Sequence, residues 1–147
     1  MFTVENVIPK ALFELANAKV HLHESPSTAG LPEASPVSIV QTDQTVFAHF
    51  LWDQKGWLAN LLSPGCSYEC RIYIEQMGAG EAANPAPAIV NFVPGIGKSY
   101  SAVIPVAGLP EGAYKLVATL LFRGPAGSPS PIASYDEIGY LQVYKDM

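Results

Sequence analysis

From residue 37 onward apolar and polar positions alternate with a period of two, the mark of half-buried strands whose successive side chains point to opposite faces. In 68–76 one face carries Tyr68, Cys70, Ile72 and Ile74, and the other carries Glu69, Arg71, Tyr73 and Glu75. In 113–122 the inward set is Tyr114, Leu116, Ala118, Leu120 and Phe122. Val117 and Leu121 on the alternate face leave that strand apolar on both sides at its far end. Tyr100, Ala102, Ile104 and Val106 define a strand at 99–107, and Pro105 lacks the N–H a central strand would donate, which places it near an edge. The pattern also predicts strands at 45–52 and 57–62, joined through Asp53-Gln54-Lys55-Gly56 as a hairpin loop, and a last strand at 135–144. Short strands at 20–24 and 37–41 flank a loop rich in proline and serine at 25–36, and 78–98 reads as a second long loop.

The first residues are ambiguous. Pro9 followed by 10–19 fits a short helix with proline in its first turn, and fits equally an extended segment running into Val20-His21-Leu22-His23. Phe2, Val4, Val7 and Ile8 have no evident internal partner, which favours an extended apolar arm that docks on a neighbouring molecule. The expected organisation is therefore an arm or short helix over 1–16 and one domain over 17–147. A chain of 147 residues suits a single core. The fold class is all-β: one two-sheet antiparallel β-sandwich with an N-terminal arm.

Composition sharpens this picture. Twelve glycines and thirteen prolines suit many turns between short strands. Charged residues make up 14%, against roughly 25% in an average soluble protein, and mean hydropathy is positive, which excludes disorder. The net charge of −5 without a basic run disfavours a nucleic-acid partner. No apolar run approaches the ~20 residues of a membrane-spanning helix. The opening residues lack a basic, then apolar, signal pattern, no Asn-x-Ser/Thr acceptor is present, and Cys66 and Cys70 are too far apart on one strand to bridge. A cytoplasmic location with free thiols is the expectation.

Catalytic and metal chemistry find little support. Gly95-Ile96-Gly97-Lys98-Ser99 ends like a phosphate loop, but Phe92 stands where that motif needs glycine, and a strand pattern follows where it needs a helix. His21 and His23, two apart, point to one side of a strand and could form half a metal site, but lack a matched partner pair. Asp136 and Glu137 are neighbours facing opposite ways, and Glu69 and Glu75 lie about 20 Å apart along a strand, too far to act together. No enzyme activity, cofactor or metal is expected.

The segment Leu109-Pro110-Glu111-Gly112-Ala113-Tyr114-Lys115-Leu116 resembles the start of the penultimate strand in immunoglobulin-like and fibronectin-type-III-like domains, where Gly-x-Tyr-x-Leu follows a tight turn. That resemblance implies an immunoglobulin-like sandwich with Tyr114 as its tyrosine corner, the ring in the core and the hydroxyl bonded to upstream backbone. The chain departs from antibody-type domains in lacking their inter-sheet cysteine pair. The resemblance carries fold, not function.

Two features point to binding. Phe47 and Leu51 lie opposite Val46, Phe50 and Trp52, just as Val117 and Leu121 lie opposite their own core set, so a monomer would expose apolar patches. The leading expectation is a non-catalytic subunit that self-associates or joins a larger protein assembly, its interface drawn from Phe2, Val4, Phe47, Leu51, Val117 and Leu121. The alternative is a carbohydrate- or other ligand-binding module. It would use Trp57, Tyr73 and Tyr135 to stack on sugar rings, with Tyr68, Tyr140 and Tyr144 as further aromatics near loops.

Overall fold

The computed structural model describes residues 3–4, 13–23, 39–62, 65–78, 80–81, 84–125, 128 and 133–145. They form β1 (Thr3–Val4), β2 (Glu14–His23), β3 (Ile39–Gln41), β4 (Val46–Lys55), β5 (Ser67–Gln76), β6 (Gly80–Glu81), β7 (Ala88–Asn91), β8 (Lys98–Val106), β9 (Gly112–Arg123) and β10 (Ala133–Tyr144). A short 3-10 helix spans Trp57–Asn60. The smaller sheet has the order β2-β4-β8. The larger runs β1-β10-β9-β5-β6, with β7 also on β5 and β3 also on β10.

The two sheets make a β-sandwich because alternation gives each an apolar inner side. Trp52 and Phe50 from β4, Tyr68 and Ile72 from β5, Ile104 from β8, Leu116 and Leu120 from β9 and Leu141 from β10 are all at or below 1% exposed, in one core. Aromatic rings join the layers. Trp52 and Tyr100 stack within the smaller sheet at 5.5 Å between centroids, and both meet Tyr68 of the larger one, at 5.3 and 4.9 Å. Tyr114 is fully buried, and its hydroxyl donates to the Pro110 carbonyl at 2.5 Å, satisfying the one polar atom its ring carries inside.

The strand pattern of 68–76, 99–107, 113–122 and 135–144 reappears with ends shifted by one or two residues. β8 is an edge strand, as Pro105 requires. Residues 53–62 differ. Instead of turning at Asp53, β4 continues to Lys55, with Gln54 pointing inward, and Gly56 at φ 97° breaks the strand into the 3-10 helix where a strand at 57–62 was expected. The inward polar residue hid the continuing alternation. In consequence β4 makes no hairpin with 57–62 and pairs with β2 and β8.

The ambiguous segment at 10–19 is extended from Glu14 onward, where β2 begins. A register shift between Ala16 and Lys19, with Asn17 at φ 53°, turns the strand by one position, so Leu15 and Ala18 both face the core. The sandwich is not wholly antiparallel: β3 runs parallel to β10. Short strands β6 and β7 interrupt the expected loop at 78–98. The arm strand β1 pairs with Ser134 and Tyr135 of this same chain. Phe2 and the loop at 25–36 lie outside the described residues.

Candidate interaction surfaces

The outer face of the larger sheet gathers residues that the sequence placed in two separate readings. Register sets Tyr135 opposite Thr119 and Arg71, Glu137 opposite Val117 and Tyr73, and Tyr140 opposite Lys115 and Glu75. One row along, Ala133, Leu121, Glu69 and Ile89 line up. Val117 and Leu121 are half-buried, whereas Tyr73, Tyr135 and Tyr140 stand 44%, 48% and 65% exposed. Two tyrosines from the sugar-stacking set and two aliphatics from the interface set thus share one flat face.

Five of the charged side chains on this face are engaged with one another. Both guanidiniums close on Glu69: Arg71 donates through Nε to Oε1 at 2.7 Å, and Arg123 through Nε to Oε2 at 2.8 Å, each reinforced through Nη2. Glu69 is consequently 5% exposed on a sheet's outer side. Burial alone would raise its pKa, but the hydrogen bonds from Arg123 and Arg71 prevail and hold it below the ordinary carboxylate value. Lys115 and Glu137 pair at 2.8 Å, which raises the lysine pKa. Beside them Tyr73, Ile74, Glu75, Asn84, Lys115 and Val117 line a cleft of about 200 Å³.

The outer face of the smaller sheet is organised differently. His21 sits directly opposite His49, and His23 opposite Phe47, so topology brings all three histidines of the chain together. Ring centroids lie 6.2 Å apart for His21 and His23, and 5.0 Å for His23 and His49. His23 and His49 are buried, and His21, Phe47 and Leu51 beside them are half-buried. Desolvation, then the neighbouring His49 and His21, lowers the His23 pKa. Among the described residues no group of three or more His, Cys, Asp or Glu has the arrangement of a metal site.

Trp57 does not join the tyrosines. It lies in the 3-10 helix at one end of the sandwich, above a buried polar hub centred on Gln54. Gln54 Nε2 donates to the carbonyls of Val93 and Gly95 at 3.0 and 2.8 Å. Its Oε1 accepts from the Tyr68 hydroxyl at 2.6 Å and lies 3.0 Å from the Tyr100 hydroxyl, whose proton is shared with the Val93 carbonyl at 3.1 Å. A fully buried amide with every position engaged fixes β4, β5, β8 and residues 92–97 to one another.

Sequence reasoning missed the other exposed apolar residues at this end: Leu61, Val93 and Ile96. A usable signal was present in the chain, because 56–68 and 82–97 contain no charged residue or histidine. Both cysteines are buried and free. Burial pushes the Cys70 thiol up to about 12 and raises that of Cys66. Among the described residues no helix is long and apolar enough to cross a membrane. No protein-family model matches the chain, and no curated protein matches it significantly.

Proposed function

We propose that this chain is a non-catalytic, immunoglobulin-like interaction module that associates with a second copy of itself through the outer face of its larger sheet. The observation carrying this reading is the array of Tyr73, Tyr135 and Tyr140 around Val117, on a face where Arg71 and Arg123 already close on Glu69 and Lys115 on Glu137. Covering such a face buries aromatic area while leaving few charges to be newly compensated. Strand-borne tyrosines are also held in place beforehand, so little conformational freedom is lost on contact.

The immunoglobulin-like description draws support from β2-β4-β8 facing β10-β9-β5-β7, from the course of β3 along β10, and from the Tyr114 bond to Pro110 just before β9. The non-catalytic reading is supported by the cysteines, since burial that raises both thiol pKa values keeps them from being nucleophiles.

Molar mass by light scattering over a dilution series tests the proposal. A dimer or larger species that Tyr73→Ser with Tyr135→Ser dissociates, circular dichroism unchanged, is the expected result. A monomer at all concentrations overturns it. An oligomer that only Phe47→Ser with Leu51→Ser dissolves moves the contact to the smaller sheet. A second reading has its own observation, the cleft between Tyr73, Glu75, Asn84 and Lys115, where a sugar ring could stack on the tyrosine within reach of polar groups. Glycan-array binding lost in Tyr73→Ala but kept in Trp57→Ala would put that reading first.

A further inference from the structure

The two charge-free stretches are brought together by the fold at the end of the sandwich where β4 stops and β5 and β8 start. Gly95 N–H donates to the Ala59 carbonyl at 2.8 Å, Gly97 N–H to Gln54 at 2.8 Å, and Phe92 N–H to Cys66 at 3.1 Å. Each stretch sends one set of apolar side chains inward: Leu58, Ala59 and Leu62 from the first, Phe92 from the second. Each sends another set outward. Trp57 is 50% exposed, Leu61 67%, Val93 48% and Ile96 56%. Core formation accounts for the first set and leaves the second unexplained.

Lysines bracket this tip. Lys55 directly precedes Gly56 and Lys98 directly follows Gly97, both exposed. A Cβ placed on Gly95 would come 2.9 Å from Lys98 Cε, so the aliphatic stem of that lysine lies against the apolar loop while its ammonium group reaches past it. Several backbone polar groups behind the tip are engaged: Gln54 and Tyr100 bond the Val93 carbonyl, Gln54 bonds that of Gly95, and the Val93 N–H donates to the Tyr100 hydroxyl at 3.0 Å. Pro94 has no N–H to satisfy.

We propose that this tip docks on a lipid surface carrying anionic headgroups. Trp57, Leu61, Val93 and Ile96 enter the boundary between headgroups and acyl chains, and Lys55 and Lys98 meet the headgroup phosphates. The chemistry of the tip favours lipid over protein. The four side chains line neither the cleft beside Tyr73 nor the small one near Val46. Tryptophan beside lysine suits the headgroup zone, and the bonds already made behind Val93 and Gly95 lower the cost of bringing that loop to an apolar boundary. This surface is separate from the tyrosine face, so either proposal can fail without the other.

The test is co-sedimentation of the full chain with two extruded vesicle preparations, phosphatidylcholine alone and phosphatidylcholine mixed with phosphatidylglycerol. Wild type is expected to pellet with the mixed vesicles, less with the neutral ones, and progressively less as sodium chloride is added. Trp57→Ser with Ile96→Ser should weaken partitioning by roughly ten-fold or more. Lys55→Gln with Lys98→Gln should remove the preference for the mixed vesicles. Circular dichroism establishes that each variant is folded. Absence of pelleting with either preparation overturns the proposal, as does pelleting that Trp57→Ser with Ile96→Ser leaves unchanged. A tip variant that lowers the molar mass of the free protein without altering vesicle binding also overturns it, by making the tip a contact between copies.

Discussion

The two ends of the sandwich are held by different chemistry. At the end bearing Trp57, one buried amide, Gln54, ties three strands and a loop through bonds at every position it has. At the opposite end, where β9 begins, Tyr114 makes a single bond to Pro110, and His23 lies buried beside His49. The contrast separates an end whose loops carry uncharged side chains outward on a many-bonded base from an end where one tyrosine bond and a buried imidazole stand in place of a hub. Polar groups inside a protein are decisive in proportion to how many partners are orphaned by their loss.

Removing the hub should produce the largest effect. Gln54→Leu leaves the Val93 and Gly95 carbonyls and the buried Tyr68 hydroxyl short of partners, and is expected to cost about 3 kcal/mol or more, read by urea denaturation. Tyr114→Phe should cost only about 1 kcal/mol, because one hydroxyl and one carbonyl lose each other and the ring stays in place. Equal losses from the two substitutions would erase the distinction between the ends.

A smaller effect comes from pH. Because the folded state lowers the His23 pKa, the unfolded chain takes up the proton first as pH falls. The stability tied to the neutral imidazole is complete above about 6.5 and declines as pH drops below that value. A melting temperature that falls between pH 7.5 and 5.5, with a shallower fall in His23→Gln, is the expected outcome; Lys19, His21 and His49 share that outer face. Glu69 acts lower on the scale. Its depressed pKa contributes stability present above the unfolded carboxylate value and lost as pH falls through the folded one. The smallest effect belongs to Trp57→Ser, within about 0.5 kcal/mol of wild-type stability, because the indole is half exposed at a base Gln54 holds.

Legibility in the sequence followed the regularity of the alternation. β5 and β9 could be read residue by residue because every inward position is apolar or a tyrosine with a reachable partner. β4 was cut short because Gln54 interrupts the apolar series, and nothing local reveals that two tyrosines and two carbonyls wait for it inside. Asn17 hid the phase of β2 in the same way, through a bulge with no glycine or proline to mark it. For the surfaces, residue type was visible but company was not. Tyr73 and Tyr135 were recognisable as aromatics, yet only the β5-β9-β10 register puts them on one face. His49 joins His21 and His23 through the pairing of β2 with β4. Leu61, Val93 and Ile96 escaped notice because single apolar loop residues are ordinary, and only the charge-free spans around them set them apart.

The flanks of both sheets carry features that hinder added strands. Along β10, β1 occupies Ser134 and Tyr135 and β3 occupies 142–144, with the Glu137–Gly139 irregularity between them. Across the sheet, β7 and β6 take the two ends of β5, and Asn84 Oδ1 accepts the Ile74 N–H at 2.8 Å in the gap. The smaller sheet ends in a bulge on β2 and a proline on β8. Among the described residues, the short covering strands, the bulge and the proline shorten the free edges of both sheets, which hinders edge-to-edge pairing in a chain nearly half apolar.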